Sequence, residues 1–281
     1  MPVYEHWHLI PGLLQSLSEQ TVAQENIEVL LIDNGSESIE LPASMLDNVT
    51  VYTCEALGSY AARNIGVQHA RGTWLCFTDA DCRPVPHWLA RYERYIKERD
   101  LSQEGLLTGP IQMTWNADGA TRYELYDAMK GVPQKRYYRR GYAATANLLI
   151  GTATMAQVGG FDTQRFSGGD AAFCRRAQAL GATLHWVEAA TVRHPARKTW
   201  REIATKARRI KGGQWANPPK TRYYYTLRTF SPPLLECWRL LSKTDFSLRD
   251  RVIACLIQFR LWGVEMKEIA ILMSGRQAER K

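Results

Sequence analysis

Asp79 and Asp81 stand two residues apart in Thr78-Asp79-Ala80-Asp81, directly after the apolar run Gly72-Thr73-Trp74-Leu75-Cys76-Phe77. A run this short and this apolar reads as a strand buried on both faces of a parallel sheet. Residues i and i+2 of an extended segment project the same way, so the two carboxylates face one small volume at the strand's C-terminal edge. That edge is where open α/β sheets take their ligands. Two like charges so close need a cation. Ligation by one or two carboxylates, completed by water and substrate phosphates, suits Mg2+ or Mn2+. The same tripeptide is also a common turn of two solvated acids, so its meaning depends on the rest of the chain.

The elements around it alternate. Val3 and Tyr4 end a first strand, and Trp7, Ile10, Leu13, Leu14 and Leu17 recur at helical spacing as far as Gln20. The run Glu28-Val29-Leu30-Leu31-Ile32-Asp33 is again an apolar strand ending in an acid, before the turn Asn34-Gly35-Ser36. A third strand covers 49–52, a helix 59–70, and Pro84-Val85-Pro86 precedes a helix with Leu89, Tyr92, Tyr95 and Ile96 inward. Strand and helix alternating in this way predict an α/β fold with a doubly wound, mostly parallel sheet.

From Leu106 the pattern changes to strands at 106–113, 145–150 and 183–187, with a Tyr-, Arg- and Lys-rich stretch at 122–142. Phe166-Ser167-Gly168-Gly169-Asp170 leads into a helix at 171–180. There Asp170 is either a reactive acid or only a helix cap. His194 follows the last strand.

In 281 residues there is room for one large domain with an appendage. Residues 193–281 carry 20 Lys/Arg against 7 Asp/Glu, a net +13, whereas the rest of the chain is net −5. So basic a C-terminal third suits an anionic partner. Six cysteines without a C-x-x-C pair read as reduced thiols in a cytoplasmic protein, and no apolar run is long enough to span a bilayer.

Taken in order, Pro2-Val3-Tyr4, Val29 to Ser36, Ala62-Arg63-Asn64-Ile65-Gly66, Asp79-Ala80-Asp81, Thr145-Ala146-Asn147, Gly159-Gly160-Phe161-Asp162, Gly169-Asp170 and His194 resemble the family 2 glycosyltransferases. These have the nucleotide-diphospho-sugar transferase (GT-A) fold, and the resemblance covers about residues 1–215. It implies that Pro2, Val3, Tyr4, Glu5 and the Asp33 carboxylate hold the nucleotide, with Arg63 close to base or phosphate and Asp79 on the ribose and sugar side. Asp81 and His194 would hold the divalent metal, Mn2+ or Mg2+. Asn147 would border donor sugar and acceptor, and Asp170 would act as general base in an inverting transfer.

This chain departs from the family pattern in two places: Gly169 replaces the acid that usually precedes the base, and Ala172 replaces the one two residues after it. Those losses leave a non-catalytic nucleotide-sugar-binding protein as the alternative reading. The Gln-x-x-Arg-Trp signature of processive synthases is absent, since Gly212-Gly213-Gln214-Trp215 has another spacing. A non-processive bacterial enzyme is therefore expected. Its donor is a UDP-sugar and its acceptor a saccharide or lipid-linked saccharide in cell-envelope or polysaccharide synthesis. The expected division is a catalytic domain at 1–215, with a nucleotide half at 1–105 and an acceptor half at 106–215, and a basic helical extension at 216–281. The extension suits the cytoplasmic face of the inner membrane or a homodimer contact, and no nucleic-acid partner is expected.

Overall fold

The computed structural model describes residues 1–42, 45–116, 118–165 and 167–276. Phe166 of the motif before Asp170 lies outside the described residues. Two compact units are present: Met1–Gln112, Pro133–Gln164 and Gly169–His194 form the first, and Met113–Val132, Arg165–Gly168 and Pro195–Lys281 the second.

The first unit begins with β1 (Pro2–Val3), α1 (Ile10–Ser18), β2 (Val29–Asp33), β3 (Val49–Thr53) and α2 (Ser59–His69). The three strands pair in parallel in the order β1-β2-β3, with Val3 beside Asp33 and Asp33 beside Thr53. Successive residues of β2 serve opposite faces. Leu31 packs in one cluster with Ile10, Leu13, Leu14 and Leu17 of α1, while Ile32 packs with Ala61 and Ala62 of α2. Helices on both faces explain why β2 is apolar from Val29 to Ile32.

Next come β4 (Trp74–Phe77), β5 (Arg83–Pro84), α3 (Trp88–Glu98), β6 (Leu106–Thr108), β7 (Ile111–Thr114), α4 (Arg122–Lys130), α5 (Gln134–Tyr138), β8 (Leu148–Gly151), α6 (Thr152–Val158), α7 (Gly169–Ala179), β9 (Leu184–Trp186) and β10 (Val192–Pro195). A second sheet has the order β4-β8-β6-β9, in which β8 runs antiparallel to both β4 and β6 and only β6–β9 is parallel. The strand carrying the two acids thus has an antiparallel neighbour. Leu75 and Phe77 face one core cluster, and Trp74 and Cys76 pack against another. Such a run reports burial on both faces and carries no information on the direction of the strand beside it.

The strand expected over 106–113 is cut at Gly109-Pro110, and β7 joins a third sheet of order β5-β10-β7. A Cβ at Gly109 would come 2.0 Å from the Ala190 carbonyl oxygen, so only glycine admits this close backbone approach. The first half of the strand expected over 145–150 is instead a 3-10 turn, Thr145–Asn147.

The second unit is helical: α4 with α8 (Trp200–Trp215), α9 (Pro219–Phe230), α10 (Leu234–Leu241) and α11 (Leu248–Met273). Its core is Tyr126, Met129, Ile203, Ala207, Leu240, Ala254, Ile257 and Leu261. Capping boxes start α4 (Thr121 with Glu124) and α8 (Thr199 with Glu202). Buried Asp127 on α4 is held by Arg197 at 3.1 Å and Lys206 at 3.7 Å. Among the described residues, no helix is long and apolar enough to cross a membrane.

Candidate active site

β4 is followed by Thr78, whose hydroxyl donates to the Ala146 carbonyl at 3.1 Å and so fastens the acidic segment to the turn before β8. The next acid, Asp79, is paired with Arg63 of α2, Nη2 to Oδ1, at 2.6 Å. Arg63 is only 5% exposed, and its guanidinium also lies over the Tyr60 ring, 5.5 Å from the centroid. It is not a solvated helix residue.

Asp81 has a different partner. β10 pairs antiparallel with β5, Arg193 opposite Arg83, which places His194 Nε2 3.5 Å from Asp81 Oδ2. His194 is buried, whereas about a third of the Asp81 side chain is open. Cys82 joins them: one ligand atom from each of Asp81, Cys82 and His194 lies within 4.8 Å of the other two. Burial and the charges of Asp79 and Asp81 push the Cys82 thiol well up, so it is a neutral neighbour in the absence of a metal. A carboxylate and an imidazole side by side, with the carboxylate partly open, are a donor set that could hold a divalent cation.

Asp170 lies in the first turn of α7, half-buried. Burial pushes its carboxyl above the usual range, against the pull of the Ala171 and Thr145 N–H groups and the Arg63 charge; Asp79 adds to the upward push. Its Oδ1 accepts from the Ala171 N–H at 2.8 Å and from the Tyr60 hydroxyl at 3.4 Å. A carboxylate with a raised pKa is a stronger proton acceptor than a free one. Through the Ala171 N–H the acid is tied to the first turn of its own helix.

The residues expected on the nucleotide side gather at the end of the parallel sheet. Asp33 is 3% exposed. Its Oδ1 accepts from Trp7 Nε1 at 2.9 Å and Ser36 Oγ at 2.6 Å, and its Oδ2 from the Gly35 and Ser36 N–H groups at 3.1 Å each. Burial alone would raise its pKa, but these donors outweigh it and hold the carboxyl below the usual range. Asp33 thus shapes the 34–36 turn, and the chain after β1 lies against that turn. Asn34 N–H donates to the Val3 carbonyl, and Glu5 N–H donates to Ser36 Oγ. Pro2 and Val3 form β1 itself, and Tyr4 is exposed just beyond it.

Asn147, expected at the sugar border, is fully buried. Its Oδ1 accepts from Trp88 Nε1 and the Tyr92 hydroxyl, and its Nδ2 donates to the Pro110 and Ala190 carbonyls. This leaves the carboxamide no donor or acceptor for a sugar, and its work is to tie α3 to the β6–β7 break. Sequence reasoning passed over Tyr60 and Cys82. Tyr60 was open to notice, because it stands three residues before Arg63 and so shares its helix face.

The profile of Glycosyl transferase family 2 matches residues 1–166. The chain is 32% identical over 221 residues to "Glycosyltransferase AglE" of Haloferax volcanii, which covers 76% of this chain and 71% of that protein. It is 25% identical over 193 residues to the pre-mycofactocin glycosyltransferase of Mycobacterium tuberculosis, covering 64% of this chain and 40% of that one. Among solved structures, S. aureus TarS 1-349 in complex with UDP-GlcNAc aligns with a TM-score of 0.55 at 15% identity, over 98% of this chain and 90% of that chain. The likeness to TarS bears on the fold, which is of the GT-A type. The family match bears on more, since it spans the strands and the helix that carry Arg63, Asp79 and Asp81. This chain belongs to glycosyl transferase family 2 and is a glycosyltransferase.

Proposed function

We propose that the enzyme moves a sugar from a UDP-sugar to a hydroxyl of a saccharide or lipid-linked saccharide, inverting the anomeric carbon in one displacement. The observation that carries this reading is the split between the two acids: Asp79 is neutralised by Arg63, while Asp81 remains open beside His194. Asp81 and His194 are the residues that would hold Mn2+ or Mg2+. A bound divalent cation supplies Lewis-acid stabilisation of a departing diphosphate. Residues 2–5 and Asp33, with the 34–36 turn that it shapes, hold the nucleotide; Arg63 lies close to its base or phosphate and Asp79 on its ribose and sugar side.

Asp170 takes the proton of the acceptor hydroxyl as that oxygen bonds to the anomeric carbon. The bond from that carbon to the phosphate oxygen breaks, and its electron pair leaves with UDP. No covalent enzyme intermediate is needed. The choice of UDP is supported by the UDP-GlcNAc bound to TarS. In this reading residues 1–105 serve the nucleotide, 106–215 the acceptor and 216–281 the place of work.

That place is the cytoplasmic face of a membrane. Tyr223, Leu227, Leu234, Leu235, Trp238 and Leu256 of the second unit are each 53–66% exposed. Lys220, Arg228, Lys243 and Arg249 of the same unit are exposed as well. Apolar and aromatic side chains mixed with cations suit an anionic lipid surface, at about 1 kcal/mol per basic residue near it. Self-association through these side chains is the competing outcome, and it would appear as a dimer in sedimentation.

A donor screen tests the reaction. UDP-, GDP-, dTDP- and CMP-sugars are offered with and without Mn2+, with the product anomer read by NMR. Inverted product from a UDP-sugar is expected; a retained anomer would overturn the mechanism.

A further inference from the structure

Gly169, directly before the proposed base, has no room for a side chain. A Cβ there would lie 2.6, 2.7 and 2.8 Å from the Cε2, Cζ and Cδ2 atoms of Tyr60. The backbone does not demand glycine, because Gly169 is a helical residue outside the left-handed region. What excludes a side chain is the Tyr60 ring. That ring is 6% exposed, stacked on Phe161 with centroids 5.7 Å apart, and lies beneath the Arg63 guanidinium. Its hydroxyl accepts the Gly169 N–H at 2.9 Å and faces Asp170 Oδ1 at 3.4 Å.

We infer that Tyr60 is a positioning residue for the base: its hydroxyl fixes the Asp170 carboxylate and the first turn of α7, and Gly169 is the space that lets the ring reach them. The inference rests on the reading of Asp170 as base. It also gives a physical account of the missing acid at position 169, because ring and side chain compete for one volume. Burial holds the phenol far above its ordinary range, so it stays a hydrogen-bond donor at any working pH.

The charged and titratable groups that face Asp170 are Arg63 and Tyr60 on α2, Asp79 after β4, Tyr137 on α5, Tyr142 beyond it and Cys174 one turn along α7. Among them, Tyr60 is placed to donate a hydrogen bond to the carboxylate. Donation favours the charged form, so losing it raises the pKa of Asp170 and moves the acid limb of the kcat profile to higher pH.

Tyr60→Phe keeps the ring and deletes the hydroxyl. The expected result is a kcat about 10- to 100-fold lower, the loss of one hydrogen bond to a charged group, with donor KM and UDP affinity little changed and the acid limb displaced upward. Wild-type kcat and pH profile in Tyr60→Phe, in an enzyme that Asp170→Asn inactivates, would overturn the role of Tyr60 while leaving the base in place. Normal transfer by Asp170→Asn would instead overturn the base and the inference with it. A cycle covers the case where Tyr60→Phe folds poorly. Gly169→Ala is expected to cost kcat when position 60 is Tyr and to cost little on a Tyr60→Ala background, with UDP binding as the check on folding. Equal costs on both backgrounds would show that ring and glycine are independent.

Discussion

Arg63 Nη2 lies 2.6 Å from Asp79 Oδ1, at the point where the strand bearing the acidic pair ends. The ion pair gives two acids of identical type, two residues apart, unlike environments. Asp79 is paired with a buried guanidinium, and Asp81 stands partly open beside an imidazole. The consequences can be measured one at a time.

Arg63→Ala leaves Asp79 without its cation in a partly buried setting and removes a buried side chain from over the Tyr60 ring. A loss of roughly 1–3 kcal/mol is expected, read as a lower urea midpoint. Arg63→Ala with Asp79→Ala should cost less than the sum of the single changes, because the orphaned charge is gone.

His194→Gln keeps a polar side chain of similar reach while removing the imidazole. The thermal shift produced by Mn2+ with UDP is expected to shrink to near the shift produced by UDP alone. Binding that favours the folded state stabilises by about 2.7 kcal/mol at 100-fold excess over Kd, so the effect is readily visible. An unchanged Mn2+ response would remove His194 from the site.

Asp170 carries its charge at a cost to the fold. Its folded-state pKa is raised by burial. The associated stability is therefore present below the ordinary carboxyl pKa and lost as pH rises through the elevated value. Near neutral pH, Asp170→Asn should melt at a higher temperature than the wild type while transferring no sugar. Asp33 has the opposite sign, since its donors hold its pKa down. Its contribution is present above about pH 4 and fades as pH falls through the lowered value. An Asp33→Asn variant should be less stable than wild type at neutral pH, and the difference should narrow in acid.

The exposed apolar side chains of α10 make their own prediction. Leu234→Glu with Trp238→Glu places two acids on a solvent-facing stretch of α10, so folding should survive. Co-sedimentation with anionic vesicles should fall at least tenfold, and neutral vesicles should bind neither protein. Undiminished sedimentation would move the contact elsewhere.

Much of the framework could be read from the residues. The acids at the ends of β2 and β4, the apolar spacing of α1 and the family motifs lie within short windows, and local patterns specify them. The misreadings have a common cause. The antiparallel partner of β4, the break at Gly109-Pro110 and the saturation of Asn147 all depend on segments far away in the chain. His194 reaches Asp81 through the pairing of β5 with β10, and Tyr60 meets Gly169 across 109 residues. Glycine at position 169 looked like a lost acid because a sequence shows the missing side chain and not the ring that fills its space.

Release of UDP from a UDP-sugar, followed in wild type and Asp81→Ala with EDTA and then with added Mn2+, probes the cation beside Asp81 without any knowledge of the acceptor. Wild-type release should stop with EDTA and return with Mn2+, and the variant should stay silent throughout. Equal, metal-independent release by both proteins would contradict the account.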